Sequence, residues 1–156
     1  MQILKDLISN HALIAPIIAW AVSQFFKCFV NVMKVRKFSF KQIFSEGGMP
    51  SAHTATVVSV AVMCGWISGF SSPAFAIAAI LSAVIMRDAV GVRYDSGKHA
   101  RKIKEISEKL NESAASEDEQ IRTDGLKLVA GHTVAQVVAG AAVGIGVSVL
   151  YIIIAF

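Results

Sequence analysis

Two histidines stand where glycine-bearing segments run into apolar stretches. His53 closes Gly47-Gly48-Met49-Pro50-Ser51-Ala52-His53, and His132 lies in Ala130-Gly131-His132-Thr133. Between them comes Arg87-Asp88-Ala89-Val90-Gly91-Val92-Arg93, with Lys98 shortly after. Histidines and cations gathered at helix mouths suit phosphate chemistry. Phosphoryl transfer through histidine needs a neutral imidazole aimed at phosphorus, a group holding its other ring nitrogen, and an acid for the leaving oxygen. It also needs cations or backbone N–H groups around the remaining oxygens.

Each role has a candidate. His132 begins a helix, and Gln136, four residues on, lies on the same helical face and is placed to hold the ring in one tautomer. His53 follows Pro50 and Ser51 at another helix start, where unpaired N–H groups and the helix dipole favour an anion. Gly47 and Gly48 let backbone approach that anion closely. Arg87 ends a span, and Arg93 and Lys98 reach back from the following segment with the charge that phosphate recognition favours. Lys27, about six residues inside a span, is either a functional charge or a side chain snorkelling to the interface. The plainer alternatives are interfacial hydrogen bonding for the histidines and topology control for the arginines. His11 and His99 have no such constellation.

These residues need a membrane bundle to position them. The chain has 156 residues, 54% of them hydrophobic and 17% charged, with a mean hydropathy of +0.59. That is too apolar for a soluble domain of this size. Four stretches are long enough, or nearly so, to cross hydrocarbon: about 12–33, 52–70, 73–92 and 133–156. The expected fold is an all-α integral membrane helical bundle of about four transmembrane helices, forming one domain over 1–156. Gly69, Ser71, Ser72 and Pro73 make a tight turn that pairs the second and third spans antiparallel. The N-terminal stretch carries Lys5 and Asp6 with no clear cleavage site after it, so the first span is expected to remain as an anchor. Cys28 and Cys64 fall in different spans without metal-type spacing and read as reduced packing residues.

Lysine and arginine set the orientation. Four (Lys34, Arg36, Lys37, Lys41) lie between the first and second spans and nine lie between Arg87 and Lys127, thirteen of the fifteen in the chain. Both long loops, about 34–51 and 93–130, are therefore expected in the cytoplasm. His53, the Arg87 to Lys98 segment and His132 are then expected to share one membrane face. Within the second loop Ile103, Ile106 and Leu110 at helical spacing suggest a short amphipathic helix on the membrane or capping the bundle. The acidic stretch Asn111 to Gln120 reads as a solvated loop. No internal repeat or nucleic-acid motif is present, and the pI near 9.2 reflects basic residues near anionic lipid. Gly140 and Gly144 form a GxxxG that reads as helix packing and offers a route to a homo-oligomer.

Taken together, Gly-Gly-Met-Pro-Ser-Ala-His, Arg-Asp-Ala-Val-Gly-Val-Arg with Gly97-Lys98, and Gly-His-Thr followed by Gln136-Val137 and Gly140 resemble the divergent bacterial and plastid branch of the type-2 phosphatidic acid phosphatase superfamily. That superfamily includes lipid phosphate phosphatases and vanadium haloperoxidases, and the resemblance runs from about Gln24 to Gly144. It implies that His132 is a nucleophile forming a phosphohistidine without metal or other cofactor. It implies that His53, in Pro50-Ser51-Ala52-His53, is the acid toward the leaving group, with Ser51 helping to bind phosphate. Gln136 falls where the family places a carboxylate. The usual Lys-x6-Arg-Pro element is absent, with Lys27, Lys34 and Arg36 the only nearby cations, so Arg87, Arg93 and Lys98 are expected to stand in, and Lys127 lies one position from the arginine of the third motif. The expected protein is a cell-membrane phosphatase acting on a phosphomonoester, a lipid phosphate, at the cytoplasmic face. With a neutral amide at Gln136, the alternative is a weak or inactive member that binds an anionic headgroup or partner. A small transporter or channel subunit is a third reading, on the strength of Lys27 and Gln24.

Overall fold

The structure, a computed structural model, describes residues 1–35, 48–112, 121 and 131–156. Among these there are six helices and no strand: α1 (Gln2–Ile8), α2 (His11–Val35), α3 (Ala52–Ser68), α4 (Pro73–Val90), α5 (Val92–Asn111) and α6 (Val134–Ala155). The all-α membrane bundle expected from composition is what the chain forms.

The helix ends follow local chemistry. Asn10 opens α2 by taking the Ala12 N–H on its side chain at 3.0 Å. Ser51 and Ser72 cap α3 and α4, accepting from the Thr54 and Phe75 N–H groups, and Pro73 occupies the first turn of α4 where its missing N–H costs nothing. Gly69, at φ +89°, ends α3 in a conformation that side-chain-bearing residues avoid. α3 is therefore 17 residues, ending at Ser68.

Among the described residues three helices are long and apolar enough to cross a membrane, represented by α2, α4 and α6, and α3 is a shorter apolar helix. α3 lies at the centre, packed against α2, α4 and α6. Small residues make this possible. A Cβ on Gly140 would collide with the Ser51 carbonyl, and one on Gly144 would sit 2.5 Å from the Ala55 carbonyl, so α6 crosses α3 almost backbone to backbone. The GxxxG stripe is thus occupied inside one chain. Ser148 donates to the Gly144 carbonyl at 2.9 Å, which leaves Ser59 as donor in the 2.7 Å contact between the two hydroxyls. Ser82 of α4 bonds the Val57 carbonyl of α3 at 2.8 Å. Large apolar side chains such as Ile77, Ile80, Val138 and Ile153 point outward. Small and polar inside with bulky apolar outside is the pattern of a bundle solvated by lipid tails.

The expected loop after the third span begins differently. α4 ends at Val90, and α5 starts at Val92, so the segment carrying Arg93 and Lys98 is helical from its first residue. Periodicity pointed only to the half around Ile103 to Leu110, because Arg93 to Arg101 offers no apolar repeat. The opposite end of the bundle is aromatic: His11 Nδ1 lies 2.8 Å from the Tyr151 hydroxyl, and Phe156 packs against both His11 and Trp66.

Candidate active site

The antiparallel path α2, α3, α4, α6 brings the end of α2, the start of α3, the end of α4 and the start of α6 to one end of the bundle. Backbone bonds lock that end. The His132 N–H donates to the Ala89 carbonyl at 3.0 Å, and the Ser51 N–H donates to the Gln136 carbonyl at 3.1 Å. Gly131 lies so close to Tyr94 that a Cβ there would overlap the Tyr94 backbone. The two histidine segments are therefore tied to each other and to the α4–α5 junction without relying on side chains.

His132 is buried, 7% exposed. Its Nδ1 lies 3.3 Å from Gln136 Oε1, and the same oxygen accepts the Thr133 N–H at 2.9 Å. A backbone N–H can only donate, so the shared atom is an acceptor and Nδ1 must carry the proton. Nε2 is left with its lone pair. The Thr133 hydroxyl in turn accepts the Gln136 N–H, completing a capping box at the start of α6. Gln136 thus orients the ring, as its spacing suggested, while also closing the helix end. The Thr-x-x-Gln signature was readable and points to the same residue from a second direction.

Burial is the main cause holding the His132 pKa below its ordinary value, opposed by the hydrogen bond that the ring donates to Gln136. Among the described residues the charges that add to the lowering are those of His53, Lys27 and Arg93. These name the group that the fold gathers: Lys27 from α2, His53 from α3, Arg93 from α5 and His132 before α6. Lys27 is 4% exposed, and its side chain lies along Gly48, where a Cβ would stand 3.1 Å from Lys27 Cε. Gly48 itself is at φ +111°. The positive φ is what favours glycine at 48, and a Cβ there would also crowd the Lys27 side chain. His53 is exposed in the first turn of α3.

The other candidates fall elsewhere. Ser51 is fully buried at the α3–α6 crossing, with its hydroxyl accepting from Thr54 N and Oγ1 at 3.4 and 3.0 Å, so its visible task is structural. Arg87 is exposed and lies on the opposite side of α4 from Ala89, about 160° around the helix. Arg93 Nε donates to Asp88 Oδ2 at 2.7 Å, strapping α5 to α4 across Gly91. The Lys98 ammonium sits over the Tyr94 ring, 4.4 Å from its centroid. Of the three basic residues expected to replace the missing motif, Arg93 alone joins the histidines. Gly47 and Lys127 lie outside the described residues. Ala89, Gly131 and Thr133 were not singled out as site residues, although a glycine immediately before the histidine marked a close backbone approach. Among the described residues no group of three His, Cys, Asp or Glu side chains is arranged to hold a metal ion.

Comparison with known proteins gives a consistent picture. Residues 8–147 match the model of a family described as the Divergent PAP2 family. The chain is 30% identical over 149 residues to the uncharacterized membrane protein YuiD of Bacillus subtilis (strain 168), an alignment covering 90% of this chain and 92% of that protein. No solved structure matches the chain.

Proposed function

The chain belongs to the Divergent PAP2 family, and from that premise we propose that it is a membrane phosphatase that hydrolyses a phosphomonoester, a lipid phosphate, at the cytoplasmic face through a phosphohistidine on His132. The observation that carries the reading is the state of His132. Its Nδ1 proton is committed to Gln136, its Nε2 has no hydrogen-bond partner among the described residues, and Lys27 and Arg93 bring positive charge toward it alongside His53.

In the proposed reaction Nε2 attacks phosphorus as the bond to the leaving oxygen breaks, and protonated His53 gives its proton to that oxygen. Water then attacks phosphorus, His53 takes the water's proton, and the N–P bond breaks to release phosphate. Lys27 and Arg93 offset charge on the phosphoryl oxygens in both steps. The lysine- and arginine-rich loops support a cytoplasmic location for this end of the bundle.

The test is phosphate release by the purified full chain from a panel of lipid phosphates and soluble esters in chelator. Activity that vanadate inhibits, that His132→Ala abolishes and that His53→Ala lowers by about 10²-fold or more fits the reading. A folded protein that releases no phosphate from any of them would overturn it. A second reading rests on Gln136: without a carboxylate to offset imidazolium charge, the site binds an anionic headgroup without turnover.

A further inference from the structure

α5 carries a surface that the site does not use. Plotted at 100° per residue, Val92, Ile103, Ile106 and Leu110 fall within about 60° of one another. All four are at least half exposed, from 50% to 69%. Lys98, Lys102 and Lys109 line one flank of this stripe and Arg93 and Lys104 the other, while Glu105 and Glu108 lie farther round with Arg101 between them. His99 falls within the stripe, and Asp95, in the first turn where a helix N-terminus favours an acid, falls at its edge. Five cations flanking four exposed apolar side chains suit a helix resting in a bilayer interface, where cations beside the apolar stripe meet lipid phosphates.

Three further observations favour a lipid surface over another occupant. α4 leads into α5 through Gly91 alone, so the stripe begins at the level where a membrane span ends. Gly91, at φ −101° and ψ −100°, departs from helical geometry and marks the break between α4 and α5. The returning chain is held on the flank: Ser107 and Asn111 bind the Ile121 carbonyl, and Asn111 Oδ1 accepts the Ile121 N–H at 2.8 Å. Among the described residues the side chains of the stripe stay exposed. The exposed pairs Lys102–Glu105 and Lys104–Glu108 are weak enough for the lysines to exchange partners.

We propose that α5 is an in-plane arm that binds the anionic surface of the leaflet at the His132 end of the bundle. This holds whether or not the site turns over phosphate. Because Arg93 and Tyr94 in its first turn abut the Gly131–His132 segment, seating the arm also braces the site wall.

The test uses the full chain with Cys28→Ala and Cys64→Ala, labelled with an environment-sensitive fluorophore at Ile106→Cys or at Glu108→Cys. Each is reconstituted in vesicles of phosphatidylcholine alone or mixed with phosphatidylglycerol. The expected result is a blue-shifted Ile106→Cys label quenched by lipid-borne quencher, and a Glu108→Cys label that stays in water. That contrast should grow several-fold with phosphatidylglycerol, shrink at high salt, and weaken in Lys102→Gln/Lys109→Gln. Equal access of a water-borne quencher to both labels overturns the proposal. So does protection of Ile106→Cys that is the same without anionic lipid, which would indicate a neutral or protein contact. Hydrogen exchange on the unsubstituted chain answers the same question without altered residues: Val92–Asn111 should exchange more slowly in anionic vesicles, and unchanged exchange counts against the arm.

Discussion

Gln136 holds two groups on one oxygen, the Thr133 N–H and the His132 ring, and a glutamate there would keep both contacts while adding the charge that an amide lacks. If the proposed phosphohistidine chemistry is right, Gln136→Glu raises kcat by on the order of 10²-fold, because the carboxylate stabilises the imidazolium that develops on His132. Steady-state rates decide it, and silence in both forms would support binding without turnover. The pH dependence follows from the same ring. Burial, with the charges of His53, Lys27 and Arg93, lowers the His132 pKa, so the neutral nucleophile survives below the ordinary imidazole value of about 6.5. The acid limb of kcat/KM should accordingly lie below pH 6.5, and Lys27→Met should move it upward by removing one of the charges. A limb that stays in place would show that Lys27 does not act on His132. The linkage has the matching sign: the unfolded chain binds more protons just below pH 6.5, so stability falls as pH drops through that window.

The helices contribute by how closely they approach, and the glycines separate site from scaffold. Gly131→Ala puts a Cβ onto the Tyr94 backbone and must displace the His132 segment from Ala89. Its expected effect is loss of nearly all activity with a small change in thermal midpoint, since the α2–α3–α6 packing is untouched. Gly144→Ala pushes into the Ala55 carbonyl at the centre of the bundle and should lower the midpoint markedly. Gly146→Ala meets nothing within 4 Å and should match or exceed the parent, by about 0.5–1 kcal/mol from helix propensity. Thermal unfolding of the three variants in detergent checks the series. Helix ends and the turn at Gly69 were legible because hydropathy and caps are local signals. Which arginine joins the site was not. Arg87 and Arg93 have equal claims by spacing, and only the side of α4 that faces Ala89 and the break at Gly91 separate them.

At the scale of the whole molecule the two ends of the bundle differ in kind. One gathers Lys27, His53, Arg93 and His132, and the other sets His11, Trp66, Tyr151 and Phe156 together as an interfacial aromatic belt would be. α3 joins them with 17 residues, about 25 Å of helix against roughly 30 Å of hydrocarbon. If α3 crosses the bilayer, the membrane thins around it or its mouths sink toward the hydrocarbon, and either would draw His53 and the buried Lys27 toward the lipid ester level instead of open water. That geometry favours a substrate presented from the leaflet. It requires that the α3 mouth and the α3–α4 turn lie on opposite sides. In the background without Cys28 and Cys64, a membrane-impermeant thiol reagent should reach Ser71→Cys from outside intact cells, and Met49→Cys only after the membrane is opened. Labelling of both from one side would mean that α3 does not cross, and the shared face of His53 and His132 would then need a different topology.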